Sequence, residues 1–190
     1  MTDSFYSVSG SATATFGSPS WLTSLSTASI AADMALACAD GFVTAVELTT
    51  KLTDLAASLT SSALSSAAFN DLKIVAANLR TGTTTSDYVS YVFGALVNGN
   101  AANAYWTGGG ATRVSLGNLA GGSSQAQLNR LIGKWMLGSD LPDNVVNMSG
   151  VAPFSVSYSS SPAPLFGAAG PSAADVNQGY LGDCYFLAAA

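Results

Sequence analysis

Five stretches between Trp21 and Gly138 repeat apolar side chains at helical spacing, and most are opened by a Ser or Thr and stopped by a Gly. That punctuation restricts the chain more than any other feature, because a capped amphipathic helix must bury its stripe against another one. In the first stretch Ile30, Met34, Ala37 and Cys38 share a face, and Asp40-Gly41 provides the stop. Thr44 and Glu47 then have capping-box spacing, each side chain able to satisfy an orphan N–H at the start of a helix carrying Leu48, Leu52, Leu55 and Leu59. A third helix runs from about Ser66, with Phe69, Leu72, Ala76 and Leu79 on one face and Gly82 as its end. Ser86 caps a fourth bearing Val89, Val92, Phe93, Leu96 and Val97, closed by Gly99. After an irregular, Asn- and Gly-rich stretch from Asn98 to Gly122, Ser124 and Gln127 repeat the capping-box spacing before Leu128, Leu131, Ile132, Trp135 and Met136.

The expected fold class is therefore mainly α, a small helical bundle over 21–138 behind a flexible leader at 1–20. From Ser139 the helical period disappears, four prolines enter by Gly170, and Phe154-Ser155-Val156-Ser157-Tyr158 alternates as one strand would. Residues 139–169 read as an extended connector. The segment 170–190 changes character again: glycines and an Asp lead into the apolar run Cys184-Tyr185-Phe186-Leu187-Ala188-Ala189-Ala190, the start of a helix at which the sequence stops.

The chain has 190 residues, 48% hydrophobic and only 9% charged, so its 27 Ser and 16 Thr do most of the solubilising. Such a chain has enough apolar content for a packed core. A net charge of −5 leaves no surplus of Lys or Arg for phosphates, which argues against nucleic acid and anionic membrane as partners. Met1 to Gly10 lack the basic start and apolar centre of a signal peptide, and no run is long enough to span a bilayer, so the expected compartment is the cytoplasm. Low charge with abundant Ser and Thr is also common in exported proteins, which keeps leaderless export to the extracellular space open. The two cysteines, Cys38 and Cys184, have no metal-ligand spacing and form no disulfide framework. There is no histidine, so the commonest partner of a catalytic thiol is missing from these residues.

Gln178-Gly179-Tyr180-Leu181-Gly182-Asp183-Cys184-Tyr185-Phe186-Leu187-Ala188-Ala189 is the segment that carries chemistry. Asp183 suits an N-cap, which sets Cys184 in the first helical turn, where unpaired N–H groups and the dipole favour thiolate over thiol. Gln178, folded back by Gly179 and Gly182, can aim its amide NH2 at the oxygen of a carbonyl under attack. With the Cys184 backbone N–H it makes an oxyanion hole, in which one donor is worth about 2.7–4 kcal/mol. A lone Cys at a helix start is otherwise a small buried hydrophobe; it is the register of Gln178, both glycines and Asp183 that marks Cys184 as a nucleophile.

The segment resembles the active-site signature of calpain-like cysteine peptidases, Gln-Gly-x-Leu-Gly-Asp-Cys-aromatic-x-Leu-Ala-Ala, which opens the central helix of a papain-like α+β catalytic domain. The resemblance covers about the last 25 residues, with Leu165-Phe166-Gly167 and Gly170-Pro171 as its approach, and departs at Tyr185, where animal calpains have Trp. It implies a cysteine endopeptidase acting on protein or peptide substrates, with Cys184 as nucleophile and Gln178 as oxyanion donor. It also implies a His and an Asn downstream of Ala190, the His roughly 130 to 170 residues after Cys184, and an incomplete catalytic domain in these 190 residues. Calcium enters by the resemblance only, for the full-length protein; no cofactor is expected in this chain. A module of another class, a helical interaction or regulatory domain with an inert peptidase remnant, is the alternative.

Four further motifs read as structure. Leu36 to Glu47 mimics the latter half of an EF-hand loop, with Gly41, Val43 and Glu47 at the sixth, eighth and twelfth places. Leu36 and Cys38 stand where the first and third oxygen ligands belong, so no calcium site is expected. Asn98-Gly99-Asn100 and Gly108-Gly109-Gly110 lack the Lys-Ser/Thr and helix of a phosphate loop and read as turns, and Tyr105-Trp106 as a plug at the bundle's end.

Overall fold

Hydroxyl side chains start four of the five α-helices among the described residues. A computed structural model describes residues 18–159, and in it α1 spans Ala28–Ala37, α2 Ala45–Ser58, α3 Ser66–Asn78, α4 Asp87–Val97 and α5 Gln125–Trp135. Thr44, Ser65, Ser86 and Ser124 each accept the backbone N–H three residues on, which removes one orphan donor from the first turn of α2, α3, α4 and α5. At Thr44 the box is reciprocal, the Glu47 carboxylate accepting the Thr44 N–H at 2.8 Å. α1 is the exception. Its N-cap, Thr27, makes no side-chain cap bond.

The chain divides into two units. The helical unit takes residues 18–106 and 114–139 of those described. In it α2 packs on α5, α3 on α4, α4 on α5, and α1 on both α2 and α3. The described architecture is thus mainly α. The interior is built from Met34, Leu48, Leu72, Phe93, Leu96 and Leu131, among others, all buried. Each fully buried side chain of this kind stabilises the fold by about 1.5–3 kcal/mol relative to exposure. Trp21, in a 3-10 turn over Ser20–Ser24, joins this core and donates its Nε1–H to the Thr81 carbonyl at 2.9 Å.

Two stripes differ from expectation. On α3 the buried face is Ala68, Asp71, Leu72 and Val75, with Leu79 at the C-cap, while Phe69 and Ala76 are only half-buried. The helix is turned so that Asp71 faces inward; Phe69 sits at the margin, with Lys73 Nζ 5.7 Å from its ring centre. On α2, Leu48 and Leu52 are buried but Leu55 is only half-buried.

The loops before α2 and α4 are tied together. Val43 N–H donates to the Thr84 carbonyl at 2.9 Å, and Thr84 N–H to the Gly41 carbonyl at 2.8 Å. The stretch expected to be irregular holds a 3-10 turn at Ala101–Ala104 and a two-stranded antiparallel ribbon, β1 (Tyr105–Trp106) against β2 (Val114–Ser115).

The second unit comprises 107–113 and, among the described residues, 140–159. Asp140 Oδ1 accepts the N–H groups of Thr107 and Gly108, both at 2.7 Å, and Gly109 N–H reaches the Leu141 carbonyl at 3.0 Å. β3 (Val145–Val146) pairs antiparallel with β4 (Phe154–Ser155). The alternation over Phe154–Tyr158 therefore becomes a strand in its first two residues, after which Tyr158 donates its hydroxyl to the Asp143 carbonyl at 3.3 Å. No helix among the described residues is long and apolar enough to cross a membrane.

Candidate functional site

Cys184 and Gln178, the nucleophile and oxyanion donor expected from sequence, lie outside the described residues, as does the whole of 170–190. The other thiol is described. Cys38 closes α1 and is buried among core side chains. Burial pushes its pKa up to about 11, with the Glu47 and Asp40 carboxylates adding to the rise. A thiol in that setting stays protonated and unreactive at neutral pH.

The EF-hand-like loop is used structurally. Leu36 projects to solvent and Cys38 to the core, so neither offers oxygen, and Glu47 Oε2 already accepts from the Thr44 N–H and Oγ1, both at 2.8 Å. Gly41 supplies the left-handed turn that ends the α1 segment, with φ of 80°.

Two buried polar side chains organise the helical unit, and neither was singled out from the sequence. Asp71, on α3, accepts the Ser26 N–H at 3.0 Å and the Thr27 N–H at 2.6 Å, and also takes the Ser26 hydroxyl. These are the N–H groups just before and at the N-cap of α1, not the first-turn N–H groups that a Thr27 hydroxyl would accept. Burial alone raises its carboxyl pKa, but the hydrogen bonds from Ser26 and Thr27 outweigh that and hold it below the usual carboxylate range. The signal was an acid inside the apolar stripe that Ala68, Leu72, Val75 and Leu79 make on α3.

Asn103 is fully buried, and its carboxamide is shared three ways. Nδ2 donates to the Ala95 carbonyl at 3.1 Å and to Asn118 Oδ1 at 2.9 Å, while Oδ1 accepts the Trp135 indole N–H at 2.7 Å. One amide thereby joins the end of α4, the 116–118 loop and α5. Its mark in the sequence was a single polar residue among alanines, Ala101-Ala102-Asn103-Ala104.

At the glycine loops the structure shows turns. Gly99 has φ of 91°, and a Cβ there would lie 2.9 Å from Asn118 Nδ2. Gly108 and Gly109 also have positive φ, in the loop held by Asp140. Trp106 lies against α5, where a Cβ on Gly133 would approach its ring to 3.0 Å, while Tyr105 is half in solvent. Comparison of the chain with protein-family models, curated proteins and solved structures yields no significant match.

Proposed function

We propose that this chain belongs to a calpain-like cysteine endopeptidase, in which it supplies a helical bundle, an extended connector and the opening of a papain-like catalytic domain as far as the nucleophile. The observation that carries the reading is the segment Gln178 to Ala189, in which a thiol directly follows an Asp, a residue type suited to an N-cap, and a carboxamide stands six residues before it. The reaction is peptide-bond hydrolysis. Cys184 Sγ attacks the scissile carbonyl carbon, the tetrahedral oxyanion is held by the Gln178 amide and the Cys184 N–H, and collapse expels the amine to leave a thioester that water then hydrolyses. Both steps need a base that is later an acid. The chain has no His, so these 190 residues are expected to show no turnover alone.

A peptidyl chloromethyl ketone tests the arrangement without turnover, because its carbonyl oxygen seeks the same donors. Relative to iodoacetamide, it should label Cys184 faster, and Gln178→Ala should remove that advantage by about tenfold or more. Equal labelling of the two proteins would remove the oxyanion role. Thiol-dependent cleavage of casein by the 190-residue chain would contradict the dependence on an external base.

One observation favours the second reading, an interaction or regulatory module. The helical unit has a core of its own, running from Trp21 to Ile132. If residues 18–139 fold cooperatively by themselves and the thiol of Cys184 titrates as an ordinary one, the module reading takes precedence.

A further inference from the structure

We propose that the cleft between α1 and α2 is a binding site for a small amphiphilic amine, an apolar body of about one phenyl ring carrying a primary ammonium head. The inference stands on the helical unit alone and is independent of Cys184. The cleft has a volume of about 180 Å³. Met34 lines it from α1, Leu48, Leu52 and Leu55 from α2, and Leu72 and Phe93 reach it from α3 and α4. It thus opens from the surface onto the core, and Leu55 is half-buried because it stands at this opening. An apolar cavity of roughly 150 Å³ is enough to hold benzene, whereas drug-sized ligands need about 300 Å³ or more. Size and lining select a single small apolar group.

The mouth selects the head. Its charged side chains are Asp33, Lys51 and Asp54. Lys51 Nζ is committed to Asp33 Oδ1 at 3.0 Å across the two helices, and both side chains are only about a third exposed or less. Asp54, three residues along α2 and exposed, makes the second carboxylate against one ammonium. The charged lining of this largely apolar cleft therefore sums to one net negative charge. A cationic head meets attraction there, a neutral head none, and an anionic head repulsion.

The test is a titration of the intact chain with 2-phenylethylamine, 2-phenylethanol and phenylacetate, one body with three heads, followed by NMR shifts of backbone and methyl signals. Saturable shifts are expected at Leu48, Leu52 and Leu55, with the amine bound about two- to fivefold more tightly than the alcohol at low salt, as befits a solvent-screened ion pair, and the acid weakest. Asp54→Asn, at an exposed position, should abolish the preference for amine over alcohol and leave alcohol affinity unchanged. Lys51→Gln frees Asp33 and should enlarge that preference. No saturable shift at millimolar ligand, shifts centred elsewhere on the protein, or equal binding of the three heads would overturn the proposal.

Discussion

Asp71 on α3 closes the N-terminus of α1, taking the Thr27 backbone N–H at 2.6 Å across 44 residues of sequence. A buried carboxylate on α3 thereby anchors the chain at the entry to α1, whose N-cap Thr27 makes no side-chain cap bond. The bond joins helix formation to tertiary packing, so it is a direct point at which to test the fold.

Asp71→Ala should destabilise the protein by about 1.5–3 kcal/mol, the worth of hydrogen bonds to a charged group, since it removes the buried carboxylate that takes the part-buried Ser26 and Thr27 N–H groups. Chemical unfolding should show a lower midpoint with an unchanged denaturant slope. A loss below about 0.5 kcal/mol, the level of an ordinary surface change, would mean that water or the Thr27 side chain replaces the carboxylate.

The same residue sets an acid dependence. Its folded pKa lies below the unfolded value, so its contribution is fully present above the usual carboxylate range of about 4 and is lost as pH falls through the folded pKa. Unfolding free energy measured from pH 6 downward should fall more steeply for the natural chain than for Asp71→Asn. Parallel curves would remove Asp71 from the acid transition.

Asn103 should be intolerant of both shortening and isosteric change. Asn103→Ala strands the Trp135 indole N–H and the Ala95 carbonyl and should cost about 2–4 kcal/mol. Asn103→Asp keeps an acceptor for Trp135 but turns a second oxygen toward the Ala95 and Asn118 oxygens, so it should cost at least as much at neutral pH. Thermal unfolding of the two variants, read by Trp fluorescence, makes the comparison. An Asp variant as stable as the natural chain would contradict this hydrogen-bond assignment.

Gln127 departs from the role its spacing suggests. Ser124 accepts the Gln127 N–H as a cap should, but the Gln127 amide does not return to Ser124; its Nε2 donates to the Leu116 carbonyl at 3.0 Å and the Asn118 carbonyl at 3.2 Å. A reciprocal box would accept Glu at this place. Gln127→Glu should instead destabilise by about 1 kcal/mol, the worth of a lost hydrogen bond, measured by chemical unfolding, and a stabilised variant would restore the box.

These cases show what a single sequence makes legible. The helices could be read because a hydroxyl cap, a 3.6-residue stripe and a stopping glycine are local and act through their own neighbours, as at Ser86 and Gly99. Asp71, Asn103 and Gln127 escaped because their partners lie well outside their own helical turn; the place of Asp71 in an apolar stripe marks it as inward-facing but does not say which backbone it meets. The bridge between Gly41–Val43 and Thr84 is hidden for the same reason. For the candidate site the balance is reversed. Cys184 and Gln178 were singled out because a thiol, an Asp suited to an N-cap and an amide fall within seven consecutive residues, which lie outside the described part of the chain.

The central claim, an activated thiol at Cys184, is tested most directly by the pH dependence of its alkylation, mapped by mass spectrometry, with Cys38 as the reference in the same molecule. With a pKa of about 11 and a buried side chain, Cys38 should stay unmodified in the folded protein throughout. The rate at Cys184 should reach half its plateau below about pH 7.5, at least one unit under an ordinary thiol. A midpoint at about 8.5 or above would contradict the account.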